Sequence, residues 1–235
     1  MRISINQPAY LPWLGYFHRI AVSDIHVVLD QVQFEKNSVT NRNKIRTATG
    51  WSWLTVPVKT KGRFGELEIS KIEIDNTTKW IDKHWKSICQ YYGKAPYFNQ
   101  YAPVLDDIYG RTWERLTDLT AEMNNYLMCD VLKITTPLRY GTEMHTTGKK
   151  DDLVLNICRD MGATTYLSGP FGRDYLDEKK FQQAGIQIEY HDYVHPEYRQ
   201  QYQPFEPYMS ALDLIMNCGE KSLEVIMSGQ HGQED

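Results

Sequence analysis

The chain has little of what marks several large classes of protein. Its four cysteines, Cys89, Cys129, Cys158 and Cys218, are scattered, with no Cys-x-x-Cys pair and no spacing typical of a metal site. It has no apolar run of about 18 residues, so no membrane span is predicted, and its N-terminus does not resemble a secretory signal. A net charge of −4 disfavours a general nucleic-acid binder. These absences predict free thiols in a reducing cytoplasm, with no metal and no nucleic-acid partner.

Aromatic side chains, by contrast, are abundant. The 235 residues include 16 Tyr and 6 Trp, within an otherwise ordinary hydrophobic content of 41%. Such side chains hold ligands that combine apolar faces with polar edges, and they also build plain cores, so composition leaves both readings open. The length predicts one globular domain over residues 1–235.

Strand and helix patterns alternate at both ends of the chain. Apolar strands are predicted at 2–5 and 25–29 with a helix over 11–22 between them, and the same rhythm returns from residue 134 to residue 190. This alternation predicts an α/β fold: a mostly parallel sheet with helices on both faces.

A β-rich insertion is predicted over residues 44–74, as a small antiparallel hairpin layer. Gly50 falls where the turn of the hairpin requires a positive φ, and the alternation in Ile69–Ile74 predicts a third strand. The basic loop Lys59–Gly65 between them is a candidate to close over an anionic ligand, although an ordinary solvated loop has the same composition.

Polar side chains gather where the first two strands end. The carboxyl ends of parallel strands meet at one edge of a sheet, where open α/β folds bind their ligands. One pocket is therefore predicted there, lined by Asn6, Gln7, Tyr10, Asp30, Gln33, Lys36, Asn41 and Arg42.

A second group, Ser168-Gly-Pro-Phe-Gly-Arg-Asp-Tyr175, lies between a predicted strand and a helix. Glycines there let backbone N–H groups approach an anion, and Arg173 adds a charge. The Gly-Lys-Ser/Thr ending of a P-loop is missing, and a plain strand-to-helix turn explains the glycines equally well. Because this turn faces the same edge as the first, Ser168, Gly169, Arg173 and Tyr175 are predicted on the opposite wall of the pocket.

Two residues are candidates for accepting a proton. Asp30 ends a buried strand, where desolvation raises the pKa of a carboxylate, and His195 has an intrinsic pKa near neutrality. His18, on an amphipathic helix, is expected to be exposed. Cys218 ends a helix rather than beginning one, which favours a structural thiol.

The chain resembles the WbqC-like family of bacterial proteins over nearly its whole length. The motifs that carry the resemblance are Gln7-Pro-x-Tyr10-x-Pro12-Trp13-x-Gly15-Tyr16-Phe17, Asp30-x-Val-Gln33-Phe34-x-Lys36, Asn41-Arg42-x-x-Ile45, Trp53-Leu54-Thr-Val-Pro57, Tyr166-Leu-Ser168-Gly169, Asp174-Tyr175-Leu and Asp213-Leu-x-x-Asn217-Cys218-Gly219. The family is named mainly from surface-polysaccharide (O-antigen, lipopolysaccharide) gene clusters, and the resemblance implies that setting here. The family usually has His where this chain has Asn6, which can still form hydrogen bonds but cannot act as an acid or base.

A weaker resemblance links the opening strand, proline turn, helix and strand to nucleotidylyltransferases and pantothenate-synthetase-like ligases. Their ATP-binding His-x-Gly-His signature is missing from this chain. The likeness therefore supports an α/β layout more than it supports ATP chemistry.

The preferred function is transfer of an acyl or aminoacyl group to the amine of a nucleotide-linked amino sugar. Lys36, Arg42 and Arg173 would meet phosphate, while Trp13 and tyrosines would stack on the base or sugar. The alternatives are an ATP-dependent adenylating ligase or nucleotidylyltransferase, and a non-catalytic sugar-nucleotide binding protein. The acyl donor, any cofactor, the sugar and the oligomeric state are not identified by the sequence.

The choice between Asp30 and His195 is testable. An amine that attacks an acyl donor must lose a proton, so removing its base is expected to cost about 10²-fold or more in turnover. An Asp30→Asn variant that folds normally should show that loss in a steady-state assay. Near-normal turnover would remove Asp30 from the mechanism and promote His195.

Overall fold

The structure is a computed structural model that describes residues 1–60 and 67–229. Its strands are β1 (Arg2–Asn6), β2 (Ile25–Val28), β3 (Arg42–Thr47), β4 (Gly50–Thr55), β5 (Leu138–Tyr140), β6 (Thr165–Ser168) and β7 (Gln187–Tyr190). Its helices are α1 (Leu14–Ala21), α2 (Trp80–Tyr92), α3 (Phe98–Gly110), α4 (Leu116–Asn125), α5 (Gly141–Met144), α6 (Asp151–Asp160), α7 (Glu178–Gln183), α8 (Ala211–Cys218) and α9 (Ser222–Met227). Most of the basic loop predicted over Lys59–Gly65 lies outside the described residues, and the single domain over 1–235 stays a prediction.

The predicted α/β fold is confirmed, and within the described residues the larger sheet is wholly parallel. Its strand order is β5-β2-β1-β6-β7. Alternate residues of the central strands face opposite sides. Ile3, Ile5 and Val27 pack in a core with α6 and α7, whereas Ser4 and His26, paired in register, face α1 on the other side.

The strand order determines where a crevice opens at the edge of the sheet. β2 and β5 lie on one side of β1, and β6 and β7 lie on the other. Connections that leave β1 and β6 diverge, which opens a crevice at the carboxyl ends of these two strands. Ser4 pairs with Leu167, so continuing the register brings Asn6 level with Gly169.

The predicted antiparallel hairpin is confirmed, but the prediction of a third strand over Ile69–Ile74 is wrong. β3 pairs with β4 through a turn in which Gly50 has a φ of 142°, and Ile45 and Leu54 bury one face. Ile69–Lys71 forms a 3-10 turn instead of a strand. A hydrogen bond from the Ile72 N–H to the Ile69 carbonyl closes this turn. The two isoleucines are three residues apart, and both are buried.

A long segment between β7 and α8 is fastened to the core through Asp213, a fully buried residue of α8. Its Oδ2 accepts hydrogen bonds from the Tyr198 hydroxyl and from Gln200 Nε2, both at 2.8 Å. Burial raises the pKa of Asp213 to about 6, although these hydrogen bonds act to lower it. No helix in the described part of the chain is long and apolar enough to cross a membrane.

This shift predicts a pH dependence of stability. The folded protein binds the Asp213 proton more tightly than the unfolded chain, so the free energy of unfolding falls as pH rises from about 4 to about 6. The loss should total roughly 3 kcal/mol and then stay constant. Denaturant unfolding of the wild type and of Asp213→Asn should show a stability difference with this profile. A difference that does not change with pH would contradict it.

Candidate functional site

A half-buried cation lies at the carboxyl ends of β1 and β6. It is Arg19 of α1, whose guanidinium reaches Gly169, the first residue after β6. A Cβ at position 169 would collide with Arg19 Nη1, so glycine is what lets the guanidinium approach the backbone. Within the described residues Arg19 forms no ion pair, and its buried Nε has no hydrogen-bond partner.

The electrostatics of Arg19 favour an anionic neighbour. Burial lowers the pKa of Arg19, and the hydroxyls of Tyr166, Tyr16 and Tyr175 act in the opposite direction. A desolvated charge without a counter-charge costs folding free energy. A phosphate or carboxylate at this edge would recover that cost through charge-assisted hydrogen bonds. The site is therefore suited to an anionic ligand.

The end of β1 adds a second polar group without a partner. Asn6 Nδ2 is buried and has no hydrogen-bond partner, and the sheet register holds Asn6 level with Gly169. Ser168 is 1% exposed, and its hydroxyl donates to the Gly169 carbonyl at 3.1 Å. The structure thus brings the predicted residues Asn6, Ser168 and Gly169 to one edge.

A pair of histidines borders the cation. His18 Nδ1 lies 2.8 Å from His191 Nε2. The backbone N–H of His191 donates to the Ser168 carbonyl. Tyr193 packs against both imidazoles, with ring centroids 4.8 and 5.6 Å away. The expectation that His18 is exposed is wrong: it is 2% exposed, because the segment after β7 covers that side of α1.

Asp30 lies on the other side of β1, at the end of β2. It is 5% exposed, and its two oxygens accept from the backbone N–H and the hydroxyl of Thr142, at 2.9 and 2.8 Å. A carboxylate has lone pairs beyond these two bonds. Asp30 also lines a small cavity between α1 and α4.

Other residues predicted for the pocket make contacts elsewhere. The hydroxyl of Tyr10 is bonded to His84 Nδ1 at 2.9 Å and to the Tyr109 hydroxyl at 2.6 Å, which aims it into the helical core. Asn41 Nδ2 donates to the Val56 carbonyl, and Arg42 stacks 4.4 Å over Trp53. Gln33 and Lys36 are exposed after β2, and Gln7 is half-buried after β1.

The residues predicted for the second wall of the pocket have different partners. Arg173 makes two hydrogen bonds to Asp192 and stacks 4.3 Å over the ring of Tyr190, so its charge is already compensated. The hydroxyl of Tyr175, by contrast, acts to raise the pKa of Arg19.

Two further predicted residues meet in an aromatic cluster. His195 Nδ1 lies 2.8 Å from the Pro196 carbonyl oxygen, and its ring stacks on Trp13 at 6.3 Å. Trp13 also contacts Tyr193 and Tyr208. Tyr193 contacts both Trp13 of this cluster and the two imidazoles of His18 and His191.

Sequence reasoning missed Arg19, His18 and His191. The available signal was Arg19 itself, a charge in a short helix that follows directly from the first strand and is otherwise largely apolar.

An open parallel sheet with a polar crevice at its carboxyl edge is the arrangement in which α/β proteins bind their ligands. The chain belongs to the WbqC-like protein family, whose model matches residues 7–225. It is 36% identical over 225 residues to the uncharacterized protein Rv1507c of Mycobacterium tuberculosis, an alignment that covers 94% of this chain and 95% of that protein. No solved structure matches the chain significantly. The WbqC-like family is implicated in polysaccharide-related biosynthesis.

The cost of burying Arg19 makes an anion site testable through stability. Arg19→Met removes the charge and keeps most of the side-chain volume, so the unligated variant should be at least as stable as the wild type. The wild type should gain about 2.7 kcal/mol from uridine diphosphate at 100 times its dissociation constant, and Arg19→Met should not. Arg111→Met, which breaks the exposed ion pairs of Arg111 with Asp107 and Glu122, is the control and should keep the gain. An equal gain in Arg19→Met would contradict the assignment.

Proposed function

We propose that this protein is an enzyme of bacterial surface-polysaccharide biosynthesis that transfers an acyl or aminoacyl group to the amine of a nucleotide-linked amino sugar. The observation that carries the proposal is the half-buried guanidinium of Arg19, whose Nε is fully buried, which lacks an acidic partner in the described residues and lies at the crevice between β1 and β6. A nucleotide-linked sugar would bring an anion to this guanidinium as its diphosphate. The family's association with polysaccharide synthesis supports the sugar.

In this mechanism Arg19 binds the diphosphate, and Asn6 Nδ2 donates to the same ligand. Arginine suits this role because its planar guanidinium matches phosphate oxygens. Trp13 and Tyr175 lie around the edge as apolar surfaces for the base or sugar. Holding the substrate by its diphosphate fixes where the amine lies relative to the rest of the site.

The transfer itself forms a bond between the amine nitrogen and the acyl carbon and breaks the bond from that carbon to the leaving group. The amine proton passes to a base and then to the leaving group. Asp30 is our proposed base because it borders both the sheet edge and the cavity beside it. His195 is the second candidate, and the His18–His191 pair adjoins the diphosphate side.

An ATP-dependent adenylating ligase or nucleotidylyltransferase is the second candidate function. The strand order around β1 favours it, since crevices of this topology bind nucleotides, and Arg19 suits a triphosphate as well as a diphosphate. A non-catalytic sugar-nucleotide binding protein would use the same crevice. We place the protein in the cytoplasm, where nucleotide-linked sugars are made.

Mass spectrometry distinguishes the three. The protein is incubated with nucleotide-linked amino sugars and with acyl-CoA or aminoacyl donors, with and without ATP. The sugar nucleotide should gain the mass of the acyl group without ATP consumption, and Arg19→Met should lower kcat/KM by roughly 10- to 150-fold, the value of a charge-assisted hydrogen bond. Arg111→Met should match the wild type. Product that requires ATP would favour the ligase, and binding without turnover across the donors would favour the binding protein.

A further inference from the structure

The outer face of the β3–β4 hairpin gathers basic and aromatic side chains. Residues directly opposite each other in an antiparallel pair point to the same side, and the register pairs Lys44 with Trp53. Ile45 and Leu54 are buried on the other side, because successive residues of a strand alternate. The outer face therefore carries three residues from each strand, namely Arg42, Lys44, Arg46, Trp51, Trp53 and Thr55.

The two tryptophans of this face are exposed to solvent. Trp51 is 44% exposed and Trp53 is 37% exposed, and their rings meet edge to face with centroids 5.8 Å apart. Large aromatic side chains stabilise a fold chiefly through the area that they bury. Neighbouring tryptophans left open on a sheet face are typical of a surface that meets a partner.

The cations of the outer face lie against these rings. The Arg42 guanidinium carbon lies 4.4 Å from the centroid of Trp53, and Lys44 Nζ lies 4.3 Å from that of Trp51. Arg42 donates to the carbonyl and the side-chain oxygen of Asn37, which are neutral groups, and its Nε is buried without a hydrogen-bond partner. Within the ranges 1–60 and 67–229, neither Arg42 nor Lys44 forms an ion pair.

The charge around the hairpin is positive, although the chain as a whole is acidic. Residues 37–60 include four basic residues and no acidic residue, in a chain with a net charge of −4. The third cation of the outer face, Arg46, is 1% exposed and donates to three backbone carbonyl oxygens, two of them at the hairpin turn. These bonds fix the hairpin, and they leave Arg42 and Lys44 as the cations that a partner can reach on this face.

We propose that the outer face of the hairpin binds an acidic saccharide, a glycan that carries carboxylates on its sugar rings. Arg42 and Lys44 bind the carboxylates through charge-assisted hydrogen bonds. The exposed parts of the Trp51 and Trp53 rings pack against the apolar faces of the sugars. This surface contains no residue of the Arg19 crevice, so the inference goes beyond the proposed acyl transfer and does not depend on it.

The number and placement of the charges favour a saccharide over other anionic partners. A nucleic acid carries a charge on every nucleotide and calls for a broad basic footprint, whereas two accessible cations lie on this face. Binding in a membrane interface requires apolar side chains that enter the acyl region, whereas a charged group lies over each tryptophan ring here. Sugar rings with attached carboxylates match two cations that lie beside two aromatic rings.

Tetragalacturonate, a short chain of uronic acids, is the probe for this surface, and its methyl ester is the matched ligand with the same rings and no charge. In isothermal titration calorimetry, the wild type should bind the acid about tenfold or more tightly than the ester. Lys44→Gln should weaken binding of the acid by roughly 10- to 150-fold, the range for a charge-assisted hydrogen bond, and Trp51→Leu by roughly 2- to 12-fold. Lys94→Gln, at an exposed site between α2 and α3, is the control and should bind like the wild type.

Several results would overturn the proposal: no binding of tetragalacturonate, equal binding of the acid and its ester, or binding that Lys44→Gln and Trp51→Leu leave unchanged. Oligothymidylate or phosphatidylglycerol vesicles that bind more tightly than tetragalacturonate through these two residues would also overturn it, and would assign the face to a nucleic acid or a membrane. Arg19→Met should bind tetragalacturonate like the wild type. A failure of the saccharide site is therefore distinguishable from a failure of the proposed anion site at Arg19.

Discussion

The burial of Arg19 beside the backbone of Gly169 is the constraint on which the rest of the site depends. The side chain is half-buried with its Nε fully buried, and the described residues give it no carboxylate. Its position is fixed by what surrounds α1: His18, the preceding residue, is bonded to His191, and Tyr193 packs on both rings. Asp213 fastens the segment that follows β7 by holding Tyr198 and Gln200. A charge that is held in place and meets no acidic partner in the described part of the chain supports the proposed anion site.

Alternate residues of the central strands face opposite sides of the sheet, which separates their polar side chains from their apolar ones. In β1 and β2 the pair Ser4 and His26 faces α1, whereas Ile3 and Val27 face the opposite layer of helices. Ser4 Oγ lies 2.8 Å from His26 Nδ1, and this polar pair lies under α1, on the same face as Arg19. The short helix α1 therefore borders both the crevice at Gly169 and the small cavity that His26 and Asp30 line.

Much of this arrangement follows from the sequence, because local rules decide it. Apolar strands that alternate with helices predict a parallel sheet, and the carboxyl ends of such strands meet at one edge. Asn6 and Ser168 were therefore predicted together. The hairpin turn at Gly50 was predictable for the same kind of reason, since only its backbone conformation was at issue.

The rest depends on partners that are distant in the sequence. Arg173 has the composition of a phosphate ligand, but Asp192, which compensates it, comes from the end of a different strand. Tyr10 lies in the first turn and yet bonds with His84 and Tyr109, contacts that only the packed helices reveal. Arg19 presents the opposite case: residues 1–60 and 67–229 give it no acidic partner, and a sequence cannot display that.

The most direct measurement is a crystal structure of the protein with a nucleotide-diphosphate-linked amino sugar. The account predicts diphosphate oxygens within hydrogen-bond distance of the Arg19 guanidinium, beside Gly169 and Asn6, with the sugar amine directed towards Asp30. A diphosphate bound at Lys36 and Arg42, with the Arg19 crevice left empty, would contradict it.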